Sequence, residues 1–250
     1  ISSKDRKFVE CTAYDQLRYL KNKDTYSYKD LEAGEVIRVI AEDFRLNVGN
    51  LEQTGYKIPY REEQNKTLFD IIQTAIDETL QNTGKLYVFY DDVGKLTLKH
   101  IESMKLDLLI SANTAQGYEY NSSIDNKTYN QVKVEYKNTA NKSTDIFLVK
   151  SSENINKWGV LQLNETVENK ESGPGKAEAL LKYYNKVSKT LSIKDAFGDI
   201  RVRAGSSVVV MLEVEDSKIS NYMVVEQVTH TFKNDEHLMS MKLRGGSFSV

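Results

Sequence analysis

"LSIKDAFGDIRVRAGSSVVVMLEVEDSKISNYMVVEQVTHTFKNDEHLMSMKL" occupies residues 191–243. It is almost wholly strand formers and turn formers. Val208–Val214, Met223–Val228 and Leu238–Leu243 are apolar or β-branched runs that suit a half-buried pleated surface. Ile200 and Val202 mark a further short strand. "AFGD" (196–199), "RAGS" (203–206) and "EDSKISN" (215–221) supply the Gly, Asp, Asn and Ser that turns require. Several short strands at roughly 8–12-residue spacing predict a small antiparallel barrel over 190–250.

Two of the three histidines, His230 and His237, lie in this stretch. If residues 232–236 form a hairpin end, the two imidazoles approach across the strands. Two imidazoles can bind a metal, but a catalytic site usually adds a third protein ligand. Asp235 and Glu236 sit in the turn and point to solvent. The simpler reading is a polar face opposite Val228, Phe232 and Leu238, with no bound metal.

Upstream, the period changes. Ala179, Leu180, Tyr183 and Val187 in "ESGPGKAEALLKYYNKVSK" lie roughly on one side of a helix. Ser172 is placed to cap it and Pro174 suits its first turn. "SGPGK" (172–176) puts glycines before a helix, where an anion can bind. It is not GxxxxGK[ST], so a plain helix start is expected. Val132, Val134 and Tyr136 alternate with Gln131, Lys133 and Glu135, and "IFLVKSS" follows "NTANKSTD". Residues 131–150 therefore read as an antiparallel hairpin.

The N-terminal half is mixed. "NKTLFDIIQTAIDETLQNTGK" (65–85) is the clearest helix. Thr67 caps it, Asp70 completes a capping-box-like start, and Gly84 ends it. "YKDLEAGEVIRVIAEDF" (28–44) predicts another helix, capped by Asp30 or starting after Gly34. Leu17 and Leu20 suit a short helix with Asp15 near its start. "KLYVFYDDVGKLTLKHI" reads as a hairpin turning at Asp92-Val93-Gly94. Helices and a hairpin in series predict a small α+β unit over about residues 21–110.

Composition narrows the function classes. The net charge of −2 over 250 residues argues against a generally basic nucleic-acid binder, though not against a local basic patch. Only Pro59 and Pro174 occur, so no Pro-rich linker separates domains. The single Cys11 excludes an internal disulfide framework and a Cys-based zinc site, and is expected to be buried and inert. No segment approaches the roughly 20 apolar residues of a membrane helix. The chain opens on "ISSKDRKFVECTAYD", without an initiator Met and inside a strand-like run, and is expected to be a fragment of a longer protein.

Catalytic signals are weak. GxSxG, HExxH, CxxC and GxGxxG are all missing. His100 stands alone at a strand end. Glu62-Glu63 and Asp91-Asp92 are adjacent pairs, which on extended backbone face opposite ways and make poor acid–base partners. "YDDVG" lacks the spaced ligands of an EF-hand loop. The 15 tyrosines, as in "GYEYN" and "VEYKN", suit a barrel wall or a subunit interface, with a sugar-binding surface as the functional alternative.

The ordered set of phrases resembles a known family. "CTAYDQLRYLKNKDTYSY" (11–28), "KTLFDIIQTAIDET" (66–79), "GKLYVFYDDVGKLTL" (84–98), "YNQVKVEY" (129–136) and "WGVLQLNETV" (158–167) carry the resemblance. So do "LSIKDAFGDIRVRAGSSVVV" (191–210) and "VVEQVTHTFKNDEHLMSMKL" (224–243). Together they resemble the XkdQ/YqbQ-like tail proteins of phages and defective prophages, which are similar to the baseplate central hub proteins of contractile tails.

The resemblance implies an α+β, multidomain chain with antiparallel β-barrel-like hub domains and a mixed helix/hairpin insert. On it, residues 1–20 are a remnant of the first barrel and 21–114 the insert. Residues 115–150 complete the first barrel, 151–189 connect, and 190–250 form the second. It implies a structural, non-enzymatic homotrimer joining tail tube to spike through a channel. Tail-tube, spike and LysM-bearing or other baseplate proteins are the implied partners. Neither cofactor, specific nucleic-acid binding nor stable membrane insertion is implied. The implied place is the virion baseplate or a phage-tail-like particle such as a tailocin, assembled in the bacterial cytoplasm. The competing reading is a tail-associated cell-wall hydrolase or carbohydrate-binding module, which would need a cleft with two carboxylates or a metal.

Overall fold

A computed structural model of the chain describes residues 2–5, 8–125, 127–138, 143–167, 170–214 and 217–245. The chain divides into two compact units, Ile1–His100 and Ile101–Val250.

In the first unit β1 (Ser2–Asp5) pairs antiparallel with β2 (Phe8–Glu10). A 3-10 turn at Gln16–Lys21 follows, with the Asp15 carboxylate accepting from the Leu17 N–H at 3.0 Å. Then come β3 (Lys23–Tyr28), α1 (Ala33–Asp43), β4 (Val48–Leu51), β5 (Arg61–Thr67), α2 (Leu68–Thr83), β6 (Tyr87–Asp91) and β7 (Leu96–His100). β3 pairs with β5, and β7 lies between antiparallel β6 and parallel β4.

The second helix forms as its sequence predicts. Thr67 Oγ1 accepts from the Asp70 N–H at 3.1 Å, and Gly84 closes the helix at φ 69°. The first departs from expectation. Asp30 takes a left-handed turn (φ 53°) and does not cap. α1 instead starts after Glu32, whose N–H donates to the Glu35 carboxylate at 2.8 Å. Asp tolerates the left-handed region better than most residues, so it is used in the turn. The apolar stripes of both helices (Val36, Ile37, Ile40; Ile71, Ile72, Ala75) meet Leu96 and Leu98 in one core.

The second unit holds β8 (Lys105–Ser111), β9 (Gly117–Ser123), β10 (Gln131–Asn138), β11 (Ser143–Lys150), α3 (Ser152–Trp158), β12 (Gln162–Val167), α4 (Gly173–Tyr184), β13 (Ser188–Phe197), β14 (Ser207–Val214), β15 (Ser217–Lys233) and β16 (Glu236–Gly245). Six of these strands make one sheet in the order β8-β14-β15-β16-β13-β9, antiparallel except where β8 joins β14. Alternate residues Leu191, Ile193, Val208, Val210, Met239 and Met241 form its core face. No sheet among the described residues closes into a barrel through its ladders. Even so, the Tyr118 hydroxyl on edge strand β9 donates to the Glu213 carbonyl of β14 at 2.9 Å.

The expected strand at Ile200–Val202 is a loop. Asp199 Oδ1 accepts from the Arg201 N–H at 2.9 Å, so local Asp turn chemistry outcompetes extension. Ser217–Asn221 is strand, not turn, because Val214 pairs directly with Ser217. The hairpin predicted over 131–150 forms as β10–β11, and its turn lies outside the described residues. Within residues 115–150, β9 ladders onto β13, whereas β10 and β11 join β12 in a separate sheet.

α4 packs on that three-stranded sheet through Ala177, Leu180 and Phe147. Ser172 gives it no side-chain cap and lies in helical backbone at the end of a 3-10 turn. "SGPGK" has a packing explanation. A Cβ at Gly173 would overlap the Phe147 ring, whereas one at Gly175 would meet nothing. Gly173→Ala is expected to cost about 1–3 kcal/mol by overpacking. Gly175→Ala should be neutral or slightly stabilising, since alanine orders more easily in a helix. Urea melts of both variants decide it; equal midpoints would remove Phe147 contact as the reason for the glycine.

Candidate functional site

The histidine pair does come together. Asn234 and Asp235 both take positive φ, making the two-residue hairpin turn between β15 and β16. Register then pairs Phe232 with His237 and His230 with Met239. His230 Nδ1 lies 2.9 Å from His237 Nε2, and His230 Nε2 lies 2.9 Å from the Val202 carbonyl. A carbonyl only accepts, so His230 Nε2–H donates. Neutral His230 then accepts at Nδ1 from His237 Nε2–H. Phe232 stacks on His237 with centroids 4.1 Å apart. His237 also packs on Gly198, where a Cβ would overlap the ring. Both His230 nitrogens are committed to protein partners, which fixes the loop 198–206 against the hairpin. No group of three or more His, Cys, Asp or Glu is placed to share a metal among the described residues.

The remaining sequence candidates stay apart. Cys11 is exposed, contrary to the expected burial; it follows β2 in irregular backbone, where no strand pairing holds it against a core. His100 sits edge-on to Tyr87, and its N–H donates to Glu52 at 2.7 Å. Asp91 Oδ1 accepts from the Gly94 N–H at 2.7 Å in the β6–β7 turn. On β5, Glu62 faces solvent and Glu63 is fully buried. Glu63 is paired with Arg61 at 3.1 Å and Lys66 at 2.6 Å, and Arg61 also holds Glu78 at 3.1 Å. The nearby Tyr28 hydroxyl is pushed up to about 12 by burial and by the Glu63 charge. This is a neutralised structural network rather than a poised acid–base pair.

A cleft of about 440 Å3 lies on the outer face of the six-stranded sheet. Register builds its floor. Asn121 of β9, Thr190 of β13 and Arg244 of β16 are directly in line, alternating with core-facing Leu191 and Leu243. The end of α4 brings Tyr183 and Tyr184, and the connection that follows brings Lys186. Lys127 and Lys242 complete four cations around one carboxylate, Glu226. Arg244 Nε lies 3.3 Å from Glu226, and Arg244 Nη2 donates to the Tyr183 hydroxyl at 3.3 Å. Lys186 sits 5.2 Å from the Tyr183 ring centroid. Burial, then the Arg244 charge, lower the Lys186 pKa. Burial foremost raises the Tyr184 phenol. Sequence reading missed this cleft because its cations are scattered from position 127 to 244. Only the outward period-2 positions of 188–192 and 240–244 hinted at it.

The YQBQ-like family model matches residues 1–244. The chain belongs to the YQBQ-like family. The phage-like element PBSX protein XkdQ of Bacillus subtilis is 30% identical over 243 residues, covering 95% of this chain and 73% of that protein. The YQBQ-like chain also shares its fold with two solved structures. One is the prophage MuSo2 43 kDa tail protein from Shewanella oneidensis, at TM-score 0.65 and 12% identity over 92% of this chain and 71% of that one. The other is the tail protein from Neisseria meningitidis MC58, at TM-score 0.66 and 11% identity over 92% and 72%. This YQBQ-like chain exposes Phe197, Ile200 and Phe232 by 70%, 75% and 67%, all near the histidine pair.

Proposed function

We propose that this chain is a structural part of the baseplate hub of a contractile phage tail or phage-tail-like particle, joining tail tube to spike as a channel-forming trimer. The observation that carries the reading is a fold shared with phage tail proteins over 92% of the chain. Family membership over residues 1–244 supports it. In this reading the six-stranded sheet is the barrel-like hub domain. The Tyr118–Glu213 bond, which draws edge strand β9 toward β14, supports such curvature. Residues 1–20 belong to the other barrel, and 21–114 form a mixed insert. The hub is non-enzymatic and meets tube, spike and other baseplate proteins in the virion. Assembly precedes release from the bacterial cytoplasm.

Negative-stain imaging and mass photometry of the full-length protein test the proposal. A trimeric ring with a central channel is the expected result. A protein that stays monomeric at every concentration and digests purified cell wall, with digestion abolished by changing one carboxylate, would establish the hydrolase alternative instead.

A further inference from the structure

We propose that the cleft between α4 and the outer face of the β9-β13-β16 sheet binds a phosphate ester of a sugar or polyol. Its cavity of about 440 Å3 lies in the range of about 300–1,000 Å3 typical of small-molecule sites. It suits one sugar phosphate rather than a strand of nucleic acid.

Three features identify the chemistry. First, Lys127, Lys186, Lys242 and Arg244 converge on a space that contains one carboxylate. Arg244 is oriented by Glu226 and Tyr183, so its guanidinium is held in place before a ligand arrives. A guanidinium beside ammonium groups matches phosphate oxygens in geometry and in charge. Second, Lys186 lies beside Arg244 on the same cleft, and burial first, then the crowding of like charge, lower its pKa. A bound dianion relieves that crowding. Third, the floor carries hydroxyl and amide groups on neighbouring strands. Asn121 is in register with Thr190, and Ser123 with Ser188. These are both donors and acceptors, which a bare anion does not need and a polyol does. Tyr183 adds an aromatic wall of the kind that packs against a sugar ring.

The 250-residue chain is titrated calorimetrically at low salt with glucose 6-phosphate, inorganic phosphate and glucose. Binding of glucose 6-phosphate at least fivefold tighter than inorganic phosphate, with none of glucose, is expected. Lys186→Gln and Lys242→Gln should each weaken it at least tenfold while leaving the circular dichroism melt unchanged. Glycerol 1-phosphate and a glycerol phosphate trimer distinguish the source. Tighter binding of the trimer assigns the site to a polyol-phosphate polymer, and equal affinity assigns it to a free metabolite. Equal binding of inorganic phosphate and the sugar phosphate would overturn the polyol assignment. No binding of any phosphate, or tighter binding of a single-stranded oligonucleotide or an acidic peptide, would overturn the proposal altogether. Because this readout is ligand binding, the hub assembly can fail its own test without affecting this one.

Discussion

Ile72→Ala is expected to remove about 2–5 kcal/mol from the N-terminal unit and to leave the C-terminal unit unchanged. Ile72 is 1% exposed on α2, in the core shared with Val36, Ile37, Ile40, Leu96 and Leu98. Truncation loses the transfer free energy of three carbons and leaves a cavity that rigid neighbours cannot fill. Every buried residue of that core lies between Leu20 and Leu98, and the two other cores lie wholly beyond residue 100. The cost should therefore fall on one cooperative transition. Urea unfolding followed by hydrogen exchange at backbone amides resolves it. Protection should collapse in α1, α2, β6 and β7, with β13–β16 unaffected. An equal loss of protection in β13–β16 would show that the two units unfold as one.

The second large effect concerns Asn130, a fully buried residue just before β10. Its amide nitrogen donates to the Gly159 carbonyl at 2.7 Å, and its amide oxygen accepts from the Leu161 N–H at 2.9 Å. The backbone joins in. The Asn130 N–H donates to Leu161 O, and its carbonyl accepts from Ser151, each at 2.9 Å. One side chain thus fixes the return from α3 into β12, which must lie parallel to β10. Asn130→Ala is expected to cost about 1–3 kcal/mol, the penalty for orphaning a buried polar group.

Asn130→Asp tests the same contacts through pH. Neutral Asp can still donate to Gly159 and accept from Leu161, but the carboxylate faces the Gly159 carbonyl at a fully buried position. Burial raises the folded pKa above the unfolded value of about 3.9. The folded state then binds more protons than the unfolded one, so stability falls as pH rises through that window. Denaturant midpoints should approach those of the parent near pH 4 and separate by pH 7. A separation independent of pH would mean that Asn130 acts by shape alone.

Much of this fold is legible residue by residue. Thr67, Gly84 and the stripe between them specify α2 because capping and amphipathicity are local. Val93 and Gly94 turn the β6–β7 hairpin, and Asn234-Asp235 turn β15 into β16, because side chain and backbone settle those conformations within four residues. The losses share a cause. β3, β4, β5, β8 and β12 are short strands whose partners are distant in sequence, and two of the parallel pairings join strands 45 or more positions apart, β4 with β7 and β8 with β14. Their sequences, such as "REEQNKT" for β5, carry little apolar alternation of their own. Packing against α2 and the Glu63 ion pairs makes β5 a strand. Asp30 and the Ile200–Val202 loop show the reverse, with Asp turn chemistry prevailing over a regional pattern.

The sequence alone determined a mixed α+β chain with a β-rich end, the positions of its main helix and hairpins, and its family. Those follow from periods, caps and ordered motifs, all read along the chain. Only the tertiary structure decided that His230 and His237 share a hydrogen bond and that Gly173 yields to Phe147. It alone drew four cations, 127 to 244, around one cleft. Such sites depend on strand register and on which element crosses which face. Both are fixed by burial of side chains far apart in sequence, and no local window contains them.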